Sequence, residues 1–189
     1  MLVIIIAIAL SLPALLPFGN QEESDDTAPR GKARPNLRLV LMAVMAMVCF
    51  MAEGAAIDWS GIFITQERGL SVENAGWGFA VFALAMSLMR FLGDRVVRLL
   101  GRTKVLVCGG LTGCAGYLIA VFFPGWIMPL CGFALVGLGT ANIVPVLITL
   151  AGQEKVMPVN MSVAMVATLG YLGILGGLRS LAGSVRLPV

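Results

Sequence analysis

Long uncharged apolar runs alternate with short charged clusters along this chain. Met1–Asn20 carries no charge, although Pro13, Pro17 and Gly19 interrupt it. Gln21–Asn36 is polar, with Glu22, Glu23, Asp25 and Asp26 followed by Arg30, Lys32 and Arg34. Leu39–Ile64 is broken only by Glu53 and Asp58. A polar stretch over Gln66–Glu73 leads to uncharged Asn74–Met89, then to a basic segment from Arg90 to Lys104. Val105–Gly152 is 48 residues without a charge. As one helix it would run about 72 Å, more than twice a hydrocarbon core of about 30 Å, so it must turn back. Phe123-Pro124-Gly125-Trp126 supplies the turn. Gln153-Glu154-Lys155 forms a tight polar loop before uncharged Val156–Leu178.

The pattern predicts an all-α membrane protein of about six spans: a shortened helix over 1–20, then 39–64, 74–89, 105–123, 126–151 and 156–178. A solvated linker covers 21–36. Backbone groups in lipid must be satisfied within the segment, and the runs lack the alternation of barrel strands. The first run does not read as a signal peptide, because it has no basic start and no small-residue cleavage site before Gln21.

Composition narrows the chemistry. The chain is 59% hydrophobic and 12% charged, with mean hydropathy +0.95, which excludes a soluble domain and a disordered one. It contains no His, which removes Ser-His-Asp and Cys-His catalysis and imidazole metal sites. No nucleophile–base pair is visible, so the chain reads as a non-enzyme with no metal and no cofactor. Cys49, Cys108, Cys114 and Cys131 lie in apolar runs without CxxC spacing and read as small buried hydrophobes.

The net charge of +3 is modest and loop-borne, a topology signal and not a nucleic-acid footprint. Ten Lys and Arg fall in the odd-numbered loops, whereas the even-numbered loops hold Arg68 alone, so the odd loops are expected in the cytoplasm. Trp59, Trp77 and Trp126 are expected at the opposite face, as an interfacial belt.

Several residues carry candidate function. Carboxylates within a span are costly and face a cavity or a partner by default, which singles out Glu53 and Asp58. Glu53 lies about 21 Å along its span from Leu39, in the outer third, and Asp58 lies near the interface. Asn142, with Pro145 one turn later, is expected to bend the fifth span and free a backbone carbonyl. Gln153, Asn160 and Tyr171 are weaker candidates of the same kind. The basic segment Arg90-x-x-Gly93-Asp94-Arg95-x-x-Arg98-x-x-Gly101-Arg102 is expected to form a loop in which Asp94 pairs with neighbouring arginines or accepts from a helix N-terminus. Glycines at helical spacing, among them Gly109, Gly113 and Gly116, predict close helix packing.

At these residues the chain resembles a known family. Gly93-Asp94-Arg95 through Gly101-Arg102 resembles the loop motif of the major facilitator superfamily in its second copy, between helices eight and nine. It departs from the commoner form in that Asp94 follows Gly93 directly. Ala52–Ser60 resembles helix seven of the bacterial branch near the fucose-permease and MosC-like transporters, and Gly76-Trp77-Gly78 through Arg90 resembles helix eight. The resemblance covers about Leu37–Gly176 and implies a twelve-helix secondary carrier whose two halves rock around a small solute, sugar-like or another small molecule, in the bacterial inner membrane.

On that map, 1–20 is the end of helix six and 21–36 the central cytoplasmic linker. Residues 37–178 form helices seven to eleven, and 179–189 is an atypical tail. The tail, Gly177-Leu178-Arg179-Ser180-Leu181-Ala182, reads like a one-base slip from a Gly-Pro-rich frame. The chain is then expected to be a fragment inactive alone, in lipid, whose partner is the missing N-terminal half or another copy. The competing expectation is a small multi-pass scaffold or accessory subunit acting as an oligomer.

Overall fold

The computed structural model describes residues 35–184, with side chains through Ile174. The expected helix over 1–20, nearly all of the linker and the last residues of the tail lie outside them. The described residues are all-α. Helix α1 spans Leu37–Gln66, α2 Trp77–Phe91, α3 Gly93–Leu100, α4 Arg102–Phe122, α5 Ile127–Thr140, α6 Ile143–Gln153 and α7 Val159–Ser184. A short 3-10 turn, Val72–Asn74, precedes α2. Four stretches are long and apolar enough to cross a membrane: Leu37–Gln66, Val72–Phe91, Arg102–Phe122 and Ile127–Gln153. Val159–Ile174 is a shorter apolar helix.

Local chemistry sets the boundaries. Gly69, Gly101 and Gly125 are the described residues with positive φ, and each stands in a turn between helices. Gly101, at φ 81°, ends α3 and opens α4; its N–H donates to Val97 O at 2.9 Å. Phe123 ends α4 in an extended conformation, as the residue before Pro124 should.

α1 shows how the helices pack. Its buried residues are Leu39, Ala43, Ala46, Cys49, Glu53, Ala56, Ser60 and Ile64, three or four apart, so they form one stripe. Most are small, which lets neighbouring backbones approach. The same device joins α4 to α5: a Cβ on Gly116 would stand 2.5 Å from Gly132 O, and one on Gly139 would stand 2.5 Å from Gly109 O. Outward-facing Leu, Val, Ile and Phe along α1, α2 and α4 supply the surface that lipid requires.

The core falls into two apolar clusters. One joins Leu39, Ala43, Ala46 and Cys49 of α1 to Ile143, Val144, Leu147 and Ala151 of α6 and Val166 of α7. The other joins Ala56 and Ile64 of α1 to Phe82 and Met86 of α2, Phe133 and Val136 of α5, and Ala141.

Four features differ from the sequence reading. The basic segment is largely helix, because Gly93–Leu100 places its charges on an exposed face. The fifth span is two helices, not one bent one. Pro145 has no N–H for the carbonyl of Ala141, four residues back, and its ring crowds that oxygen, so the helix breaks at Ala141–Asn142. Cys108, Cys114 and Cys131 are exposed on outward helix faces, and Cys49 alone of the four is buried. α7 continues through residues 179–184.

Candidate functional site

Glu53 interrupts the buried stripe of α1 between Cys49 of one apolar cluster and Ala56 of the other. It is 7% exposed. α1 begins at Leu37 and ends at Gln66, so Glu53 stands about 24 Å along a helix of about 45 Å. That is near the middle of the helix.

A buried carboxylate needs partners. Arg90, at the end of α2, brings its Nη2 to 4.0 Å from Glu53 Oε2, and Cys49 Sγ donates to Oε1 at 3.6 Å. Cys49 Sγ also lies 3.9 Å from Thr140 O, at the end of α5. The arginine keeps contact with solvent, at 52% side-chain exposure. Two residues singled out separately in the sequence, Glu53 and Arg90, thus form an ion pair between α1 and α2.

Asn142 occupies the break between α5 and α6 and is 6% exposed. Its Nδ2 donates to Met89 O at 3.3 Å. Its Oδ1 fills the space where a side chain on Gly93 would begin, so Gly93 admits no Cβ without displacing Asn142. Leu92, between α2 and α3, stands in the same place. The two helix interruptions therefore meet.

Below this junction lies a cavity of about 480 Å³, lined by Arg90, Gly93, Asp94, Arg98, Arg102 and, across it, Asn142 and Pro145. Seven of the sequence candidates converge there. Arg102 also donates to Gln153 Oε1 at 2.5 Å, tying the start of α4 to the end of α6. Asp94 sits exposed in the first turn of α3, where the helix dipole favours a carboxylate; among the described residues it forms no ion pair. Arg95 is exposed and absent from the cavity wall, and Gly101 serves the turn. Asp58 is exposed, away from Glu53 and its partners. Asn160 and Tyr171 are exposed as well; Tyr171 stacks on Phe50 at 5.3 Å.

A second cavity, of about 600 Å³, escaped the sequence reading. It lies among α1, α4 and α5, and its eleven lining residues include four aromatics, Trp59, Phe63, Tyr117 and Phe133. These residues come from three helices at no common spacing, so no local pattern marks them.

The chain is similar to two proteins named as transporters and to one named as a membrane protein. It shares 47% identity over 139 residues with an uncharacterized MFS-type transporter of Yersinia pestis, covering 74% of this chain and 36% of that protein. It shares 29% identity over 142 residues with the membrane protein MosC of Rhizobium meliloti, covering 75% of this chain and 35% of MosC. It shares 29% identity over 157 residues with the uncharacterized transporter y4wD of Sinorhizobium fredii, covering 83% and 42%. The chain thus spans about a third to two fifths of the length of these relatives. No protein-family model matches it. No solved structure matches it either.

Proposed function

Since this chain belongs with the major facilitator superfamily of transporters over its matched residues, we propose that it forms one side of a secondary carrier for a small polar solute such as a sugar. In this reading the other side comes from a separate half or a second copy, and alone the chain does not transport. The carrier sits in the bacterial inner membrane with the basic end of the bundle toward the cytoplasm. The ten-to-one loop bias in Lys and Arg supports that orientation.

The observation that carries the reading is the meeting of Glu53, Arg90 and Asn142 at two helix interruptions above one polar cavity. Discontinuous helices at a buried polar site are how secondary carriers expose backbone and charge to a solute without exposing them to lipid. Arg90 holds Glu53 in one arrangement. Protonating Glu53, or moving its helix away from α2, weakens the attraction and releases Arg90 into the cavity. Asp94, Arg98 and Arg102 then form the cytoplasmic rim that opens and closes as the halves rock. Asp58, Asn142 and Pro145 complete the set of residues assigned to the pathway or its hinge.

The test uses Thr149, which also lines the cavity. In a chain whose four cysteines are replaced by alanine, Thr149→Cys should react with a membrane-impermeant maleimide in inside-out vesicles and not in right-side-out ones. Glu53→Gln should speed that reaction severalfold, and a bound sugar-like solute should slow it. Labelling from the opposite side would overturn the orientation. An unchanged rate in Glu53→Gln would remove the ion pair from the mechanism.

A further inference from the structure

Three guanidiniums from three helices line the charged cavity beside Asn142: Arg90 at the end of α2, Arg98 in α3 and Arg102 at the start of α4. Among the described residues, Asp94 is the one carboxylate in that wall. Asn142 and Thr149 supply the polar groups on the α6 side.

The three cations are unevenly satisfied. Arg90 stands 4.0 Å from Glu53, longer than a hydrogen bond, and keeps half its side chain exposed. Arg102 donates to Gln153, a neutral amide. Arg98 is exposed, and neither it nor Arg102 forms an ion pair among the described residues. Like charges in one concave site repel, and a cleft focuses their field. One carboxylate leaves the wall net positive. A neutral solute does not offset that charge, whereas an oxyanion does. Guanidiniums present paired N–H donors in a plane, which match two oxygens of a phosphate at once.

We propose that this cavity binds a phosphate ester, held by Arg98 and Arg102 with Arg90 as a shared third donor. A volume of about 480 Å³ admits a small ester and not merely the bare ion. Glu53 and the ester then compete for Arg90. While Glu53 holds the arginine the site has two cations, and when the pair parts it has three. The ester comes either as a soluble phosphate monoester or as the headgroup of an anionic phospholipid, because both bring the same oxygens to the basic end of the bundle. The site rests on the transport reading for its role in a carrier, but its ligand is tested by binding alone.

The measurement is protection of Thr149→Cys from N-ethylmaleimide, in the full chain with its four cysteines replaced by alanine, in phosphatidylcholine nanodiscs. Both faces are open there. At constant ionic strength, glycerol 3-phosphate should slow labelling with a saturable Kd, and glycerol should not. Arg98→Gln should weaken that Kd about tenfold, the loss of a charge-assisted hydrogen bond. Arg95→Gln removes the same charge from the same helix but outside the wall, and should leave the Kd unchanged. Glu53→Gln frees Arg90 and should tighten the Kd about threefold, as expected of a half-exposed pair. A Kd unmoved by Glu53→Gln overturns the sharing of Arg90. In a second arm, phosphatidylglycerol replaces part of the phosphatidylcholine and no ester is added. Slowed labelling there, relieved by Arg98→Gln and not by Arg95→Gln, assigns the site to a lipid headgroup; protection by the soluble ester alone assigns it to a monoester. Protection in neither arm overturns the phosphate site. So does equal weakening by Arg95→Gln and Arg98→Gln, which marks a diffuse field. Labelling confined to the opposite face of sealed vesicles, with protection in nanodiscs intact, would overturn the transport orientation and leave the phosphate site standing.

Discussion

The two apolar clusters share α1 and are built from different materials. The cluster toward the start of α1 is Leu, Ala, Val, Ile and Cys, packed against α6 and α7. The cluster toward its end centres on Phe82, Phe133 and Met86, packed against α2 and α5, with Tyr117 and Phe63 at its margin. Glu53, Arg90 and Asn142 lie between them, where α5 gives way to α6 and α2 to α3. α1 and α4 run unbroken past this layer. The bundle is thus two packed blocks with a polar seam, and the seam is where the least apolar contact resists relative movement. The aromatic block is braced by edge-to-face rings and by Arg68. The other block has no aromatic pair at its centre and borders the charged cavity.

The sharpest way to break the aromatic block is to part α4 from α5. A side chain on Gly116 would meet Gly132 O at 2.5 Å and Val136 N at 2.8 Å. Both are backbone atoms and cannot swing aside. Gly116→Leu is expected to cost about 3 kcal/mol or more, enough to collapse the yield of folded chain in detergent. Gly110→Leu, on the same helix with nothing within 4 Å, should unfold at the wild-type temperature. Equal losses from the two would mean that α4 does not pack on α5 as described.

The polar seam is expected to respond to single and double changes in opposite ways. Arg90→Met leaves the Glu53 carboxylate buried without its cation. Because Arg90 is half exposed and the pair is 4.0 Å long, the loss should be about 1–2 kcal/mol, below that of a fully buried pair. Adding Glu53→Gln should restore most of it, since an amide needs no counter-charge. A thermodynamic cycle of chemical unfolding in nanodiscs measures the coupling. Additive losses would show that the pair is incidental and that the seam is held by Asn142 alone.

What was legible in the sequence follows the same division. Lipid imposes long charge-free runs, so the spans from 37 onward were readable to within a few residues at most ends. The exceptions have local causes. α3 was read as a loop because its arginines outweigh its periodicity in so short a segment, and the break at Asn142 falls one turn before the proline that causes it. In the polar seam, Glu53, Asn142 and Arg90 stood out because charge and amide groups are rare in apolar runs. Their mutual contacts did not, since residues 53, 90 and 142 meet only through the fold. The aromatic cavity left no trace, because Trp59, Phe63, Tyr117 and Phe133 look like any lipid-facing or core aromatics until three helices converge.

The smallest expected effect tests whether a carboxylate in the same span matters merely by being there. Asp58 lies five residues beyond Glu53, about 140° around the helix, and is exposed. It has no described salt-bridge partner. Asp58→Asn should therefore change unfolding by no more than about 0.5 kcal/mol, as surface substitutions do. The result separates two sources of constraint. Stability reports what this chain packs against itself, whereas an exposed carboxylate can still matter to a partner half. If Asp58→Asn leaves unfolding untouched but weakens association with a second chain in a pull-down from native membranes, Asp58 belongs to the face that a partner covers. If both are untouched, α1 contributes one functional carboxylate, and the polar seam at Glu53 stands as its sole site of buried charge among the described residues.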